Sequence, residues 1–175
     1  NPKRAEELLR QLVALETDAT ARNLISIDAS KCDKCYACEV SCLEAHPENN
    51  KALCTVDASL GTGVSLHCLH CGQAACLQAC PTGSIYRDGK FGVVAMHGSL
   101  CIGCKQCVVA CPFGMIVWDE ARGISTKCDM CMDRLHEGRA PACVEGCPTG
   151  SLSVPDEVAV SQKQRQSALA TTLAT

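Results

Sequence analysis

Sixteen of the seventeen cysteines in this 175-residue chain fall into four tight groups. The first is Cys32, Cys35, Cys38 and Cys42, in "CDKCYACEVSC", and the second is Cys68, Cys71, Cys76 and Cys80, in "CLHCGQAACLQACP". The third is Cys101, Cys104, Cys107 and Cys111, in "CIGCKQCVVACP", and the fourth is Cys128, Cys131, Cys143 and Cys147, in "CDMCMDRLHEGRAPACVEGCP". Only Cys54 stands outside them. Disulfides, zinc and iron–sulfur clusters are the three uses for thiols at this density. The choice also decides the fold, because five aromatic residues leave little from which to build an ordinary core. A bound group is expected to replace part of that core, as metals do in small scaffolds.

Spacing makes the choice. An odd cysteine count suits no closed disulfide framework. Groups one and three follow C-x2-C-x2-C-x3-C without deviation. In bacterial ferredoxins this run holds cubane clusters, and its fourth cysteine ligates the other cluster of a pair. Three cysteines two residues apart let a tight loop wrap one corner of a cube, with backbone N–H groups aimed at the sulfurs. The fourth cysteine, on a short helical turn, faces a neighbouring cube. Structural zinc takes two C-x2-C pairs in tetrahedral geometry. Groups two and four, read alone, fit zinc, but a third cysteine two residues on crowds a single ion in groups one and three. Groups two and four carry extra residues between their second and third cysteines, "GQAA" and "MDRLHEGRAPA". Both still close with C-x3-C-P, so the extra residues read as loop insertions, and Cys143 lies beyond the longer one.

The exits from three groups repeat: "CPTGSI" from Cys80, "CPFGMI" from Cys111 and "CPTGSL" from Cys147. Internal repeats decide architecture. Proline, with fixed φ and no N–H, stops the ligand-bearing turn, and the glycine two residues later permits a sharp reversal into a strand. Group one leaves instead through "CLEAHP". Short strands fall between the groups. "LISID" leads into group one, "SIYRDGKFGVVAM" reads as a hairpin turning at Asp88-Gly89, "MIVWDEARGIST" as a second hairpin around Glu120 to Gly123, and "SLSV" leaves group four. The class is α+β, built of cluster loops, short turns and small hairpins.

The net charge of −3 comes with scattered basic residues, so no nucleic-acid face is marked. No run of about 18 apolar residues is present to span a membrane, and no apolar core of a signal peptide opens the chain, whose first residue is Asn rather than Met. The expected location is cytoplasmic, with a leader before Asn1 left open. There is no phosphate loop, no nucleotide fingerprint and no nucleophile–base pair; the chemistry on offer is one-electron transfer.

From Leu24 to Val154 the four tandem groups, the three C-P exits, "CPFG" and "KCDMC" resemble the four-cluster electron-transfer subunits of the dimethyl-sulfoxide-reductase and formate-dehydrogenase type. Related small subunits serve hydrogenases, carbon monoxide dehydrogenases and tungsten aldehyde oxidoreductases. The resemblance implies two interleaved ferredoxin-like modules, with group one paired to group four and group two to group three. Carried onto this chain it implies four [4Fe-4S] clusters. Their ligands would be Cys32, Cys35, Cys38 and Cys147; Cys42, Cys128, Cys131 and Cys143; Cys68, Cys71, Cys76 and Cys111; and Cys80, Cys101, Cys104 and Cys107. It also implies a non-catalytic subunit relaying electrons to or from a molybdenum or tungsten oxidoreductase or a hydrogenase. This chain lacks the long inserts and C-terminal membrane helix of larger members and resembles the short, soluble ones. A free polyferredoxin, a filament module passing electrons between copies, and a zinc-binding interaction module are the alternatives.

Residues outside the quartets have plainer readings. Cys54 reads as a small buried apolar residue. His46, His67, His70, His97 and His136 sit near cluster loops, and His67 and His70 are expected to hydrogen-bond around a ligand shell. Lys105 and Lys127 adjoin ligands and are either electrostatic neighbours of a cluster or plain surface charges. Tyr36 reads as cover for its loop. Residues 1–23 have a helical pattern, with Leu8, Leu12 and Leu15 on one face. Together with the tail, residues 155–175, they lie outside the 24–154 cluster domain. They are expected to pack on it or to dock a partner or a further copy.

Overall fold

The computed structural model describes residues 25–59 and 63–154. The N-terminal helix and C-terminal tail expected from the sequence lie outside the described residues. No helix among the described residues is long and apolar enough to cross a membrane.

The described chain is α+β, with few helices and short sheets. Strand β1 (Ser26–Ile27) enters helix α1 (Ala37–Ala45), followed by β2 (Thr55–Asp57) and β3 (Val64–Leu66). Helix α2 (Ala75–Gln78), β4 (Ile85–Arg87) and β5 (Val94–Met96) come next, then a 3-10 turn at Gly98–Leu100 and helix α3 (Gln106–Ala110). Strands β6 (Ile116–Asp119) and β7 (Ile124–Lys127), helices α4 (Met132–His136) and α5 (Ala142–Glu145), and β8 (Leu152–Ser153) complete it. The strands form four two-stranded antiparallel ladders, β1–β8, β2–β3, β4–β5 and β6–β7.

The repeated exit motif behaves as its residues dictate. Gly83, Gly114 and Gly150 have φ of 66°, 64° and 62°, the left-handed region that glycine enters without a Cβ clash. Each stands just before a strand, β4, β6 or β8. Group one has no proline after Cys42, and there the helix runs on to Ala45.

Both expected hairpins form, but one turns differently. The β6–β7 loop is 120–123, tied by Asp119, whose Oδ1 accepts the N–H groups of Ala121 at 3.0 Å and Arg122 at 3.1 Å. The β4–β5 hairpin does not turn at Asp88-Gly89. Arg87 pairs with Val94, so six residues intervene. Asp88 Oδ2 accepts the N–H groups of Lys90 at 2.9 Å and Phe91 at 2.6 Å, and the left-handed residue is Gly92 (φ 69°). A side chain that bonds its own downstream backbone favours this wider loop over a two-residue turn. The β2–β3 hairpin goes beyond those expected; its sequence signals are the flanking Val56 and Val64 and the glycines at 61 and 63.

Two apolar clusters hold these pieces. The first gathers Ile25, Leu53, Val56, Val93, Met130 and Leu152 with Cys38, Cys42, Cys54 and Cys143. The second gathers Ala74, Ile85, Val94, Cys107 and Ile116. Val93 and Val94 are adjacent, and side chains alternate across an extended chain, so one serves each cluster and this segment joins the halves. Burying a side chain such as Val93 or Met130, both 0% exposed, stabilises by about 1.5–3 kcal/mol each.

Pairing across the halves is long-range. The ladder β1–β8 closes the described chain end to end, and Ser151 Oγ donates to Asp28 O at 2.8 Å. Helix α1 packs on α5, and α2 on α3. The first contact is close enough that a Cβ at Gly146 would overlap the Ser41 side chain. Gly146→Ala should therefore force α1 and α5 apart and cost about 1–3 kcal/mol, as overpacking does. Anaerobic denaturant unfolding of the purified protein checks this, and an unchanged midpoint would show that the contact is not tight.

Candidate metal centre

Each cysteine group begins with C-x2-C, and all four bend the same way. The residue just before the second cysteine is left-handed in every case: Lys34 (φ 63°), His70 (φ 44°), Gly103 (φ 71°) and Met130 (φ 62°). Groups one and three repeat the bend two residues later, at Tyr36 and Lys105, each with φ 59°. Only one of the four first positions is glycine. Non-glycine residues in this region cost about 1–3 kcal/mol each and persist where their surroundings over-determine them, typically at functional sites. The bends draw the thiols to one side of the loop. Within the loop of group four the Met130 N–H reaches Cys128 Sγ at 3.4 Å, and beyond the fourth cysteines of groups one and three the N–H groups of Leu53 and Met115 reach Cys42 Sγ at 3.3 Å and Cys111 Sγ at 3.4 Å.

Two cavities show what the loops assemble. One is lined by Cys32, Cys35, Cys38 and Cys147, with Tyr36, 45% exposed, at its wall. A second is lined by Cys68, Cys71, Cys76 and Cys111. In each, three thiols come from one group and the fourth from a group far along the sequence. Of the remaining cysteines, Cys143 lies within electrostatic reach of Cys131 and Cys42, and Cys128 of Cys143. Cys80 and Cys107 share the second apolar cluster, while Cys101 and the exposed Cys104 lie on the loop before α3.

The thiol chemistry fits a cationic metal group. Burial pushes Cys143 up to about 12 and holds Cys128 well above the usual thiol range. Such groups become thiolates when a metal binds, since coordination removes the proton outright. Cys38 and Cys42 are held down to about 6, first by the neighbouring Cys54 thiol. Cys54 itself is 5% exposed, its S–H donates to Cys38 O at 3.6 Å, and its own ionisation is driven far up by the same two neighbours. All seventeen thiols are free, and soft thiolate sites of this kind select zinc or iron–sulfur clusters.

The histidines divide. His67 bonds Ser65 Oγ at 2.8 Å, and that hydroxyl lies 3.4 Å from Cys38 Sγ. Burial lowers His67 to about 4. His70, lowered to about 3 by burial first, accepts the Val94 N–H on Nδ1 at 3.2 Å, and its buried Nε2 has no partner among the described residues. His97 stacks on Tyr86 and His136 meets Phe91 edge-on. His46 has a role its sequence context did not announce. Its Nε2 lies 3.4 Å from Cys131 Sγ and 3.7 Å from Asp129 Oδ1, and the bond to Cys131 raises it to about 9. Eighty-five residues separate the pair, so no local pattern could show it.

Gly103 is the loop position with the least freedom. Besides its positive φ, a Cβ there would meet Gly123 O at 2.6 Å and the Trp118 ring at 3.3 Å. Gly103→Ala should distort the third loop and lower bound iron by about one cluster, whereas Gly89→Ala, with open space around it, should leave iron unchanged. Iron assay of both variants checks this; equal iron in the two would show that the loop does not depend on the bend.

Residues 61–157 match the 4Fe-4S dicluster domain family, and residues 29–45 match a 4Fe-4S binding domain. The chain is 37% identical to an iron–sulfur protein of Rhodospirillum rubrum, over 76% of this chain and 82% of that protein. It is 36% identical to the B subunit of the anaerobic dimethyl sulfoxide reductase of Escherichia coli, over 72% of this chain and 69% of that subunit. It is 39% identical to the thiosulfate reductase electron transfer subunit PhsB of Salmonella typhi, over 71% of each. Thiol-lined loops, matching family models and these relatives agree: the chain belongs to the 4Fe-4S dicluster family of iron–sulfur electron-transfer subunits of oxidoreductases.

Proposed function

We propose that this chain carries four [4Fe-4S] clusters and relays single electrons through them to or from a catalytic molybdenum or tungsten oxidoreductase subunit or a hydrogenase. The observation that carries the reading is the pair of cavities lined by Cys32, Cys35, Cys38 and Cys147 and by Cys68, Cys71, Cys76 and Cys111. Each draws its fourth thiol from the distant group expected for two interleaved modules. The other two quartets are then Cys42, Cys128, Cys131 and Cys143, and Cys80, Cys101, Cys104 and Cys107.

Neighbouring quartets also lie close to one another. Cys54 lies between Cys38 of the first quartet and Cys42 of the second. Cys128 of the second lies within electrostatic reach of Cys68 of the third. Cys76 and Cys111 of the third share an apolar cluster with Cys80 and Cys107 of the fourth. When bound, each cluster accepts and returns one electron, with a potential set by hydrogen bonds to sulfur, charge and exposure. The protein's share is to hold the thiolates, aim N–H groups at them and keep water away from the buried members. A named relative serves dimethyl sulfoxide reductase and another thiosulfate reductase, which supports a catalytic subunit as the partner.

The anaerobically purified chain should be brown and carry about sixteen irons and sixteen sulfides. Cys111→Ala should remove the cluster of Cys68, Cys71 and Cys76 and spare that of Cys101, Cys104 and Cys107. Stoichiometric zinc with little sulfide would end the cluster reading. Loss confined to the third group would overturn the exchange of cysteines. Co-purification with a large catalytic chain separates the subunit from a free polyferredoxin, and size at varied concentration separates it from a filament module.

A further inference from the structure

Two cations converge on one of the four quartets, and neither has a carboxylate partner. Lys127 is 5% exposed and lines the cavity of Cys68, Cys71, Cys76 and Cys111. Its Nζ donates to Val94 O and, at 2.7 Å, to Cys128 O. Arg87, half-buried on β4, donates to Cys71 O at 2.5 Å, Gly72 O and Gly92 O at 2.7 Å and His70 O at 3.4 Å. It therefore clamps the C-x2-C loop of group two from outside. Neither residue enters an ion pair among the described residues.

A buried cation without a counter-ion is costly unless something anionic offsets it. Carbonyl oxygens solvate Lys127 and Arg87 only in part. A cubane held by four thiolates is anionic and gains a further negative charge on reduction. Cations beside it therefore stabilise the reduced form more than the oxidised one.

The loops of groups one and four each carry an aspartate after the first cysteine, with Lys34 also in the loop of group one and the His46 ring 3.4 Å from Cys131 Sγ in group four. In group one Asp33 Oδ1 accepts the Cys35 N–H at 3.1 Å, and in group four Asp129 Oδ1 accepts the Cys131 N–H at 2.8 Å. The matching positions in groups two and three are Leu69 and Ile102. Lys105 of group three is exposed, and its ammonium lies over the Trp118 ring at 4.1 Å. Solvent and salt screen an exposed charge far more than a buried one.

Resting on the four-cluster reading, we propose that Lys127 and Arg87 form a cationic cradle that gives the cluster of Cys68, Cys71, Cys76 and Cys111 the highest reduction potential of the four. An electron on the wire rests at this station. The step is one electron leaving a neighbouring cluster, which is oxidised by one, and entering this one, which is reduced by one; no bond forms and no proton moves. Lys127 is a tuning residue, not a ligand.

The test is a redox titration followed by electron paramagnetic resonance on the full chain, anaerobically loaded, as wild type, Lys127→Met and Lys105→Met. The relevant signal is the one lost in Cys71→Ala. In wild type it should be the first to appear on reduction. In Lys127→Met its reduction equilibrium should fall at least tenfold, about 59 mV for a one-electron couple, with iron content unchanged, while Lys105→Met should move it less than about twofold. The proposal is overturned by a wild-type signal that is not first to appear, by a smaller shift in Lys127→Met, or by an equal shift in Lys105→Met. Should Lys127→Met fail to hold iron, Lys127→Arg decides: recovery of iron and potential supports a role for the charge, and failure of both assigns Lys127 to packing and overturns it. A wild-type chain without iron and sulfide is a different failure, that of the four-cluster reading.

Discussion

A thiol buried away from water resists ionisation, and this chain buries thiols side by side. Burial raises Cys128 and Cys143, so a cation that binds them must displace their protons. Much of the structure follows from this constraint. The loops bend through left-handed residues to present sulfur, the helices are one to three turns long because they need only carry a cysteine or two, and the strands serve as ties between loops. With five aromatics in the chain, no large core competes with the thiol-lined cavities as the organising centre.

The same constraint explains the polar groups placed near sulfur. Backbone N–H groups from Leu53, Met115 and Met130, the His46 ring and the Ser65 hydroxyl all lie within hydrogen-bonding reach of a cysteine Sγ. Hydrogen bonds to a charged acceptor are the stronger kind. They are also the means by which a protein adjusts an iron–sulfur potential. Structural support and redox tuning are thus carried by the same contacts.

Charge is distributed unevenly among the cysteine groups. Aspartates bond the loops of groups one and four, whereas Arg87 bonds the loop of group two, and Lys127, which lines the cavity of group two, also donates to Cys128 O of group four. A relay of identical clusters would give an electron no preferred resting place. On the proposed four-cluster reading, small differences in local charge would break that equality without changing a single ligand.

The sequence by itself determined what is local. The C-x2-C-x2-C loops, the Pro-x-Gly exits and the β6–β7 hairpin depend on neighbours within a few residues, so spacing and backbone preference suffice to read them. The β4–β5 loop departs from its sequence reading because the Asp88 carboxylate turns back on its own backbone, a choice that competes with the two-residue turn within the same few residues. Only the tertiary structure decided what joins distant segments. It set Cys147 beside group one, Cys111 beside group two, Cys54 between two ligand pairs and His46 against Cys131. It also resolved the two lysines, which look alike in sequence: Lys105 lies at the surface over Trp118, and Lys127 is buried at the junction of both halves. The physical reason is that a charge acts through distance and dielectric, and neither is written in the order of residues along a chain.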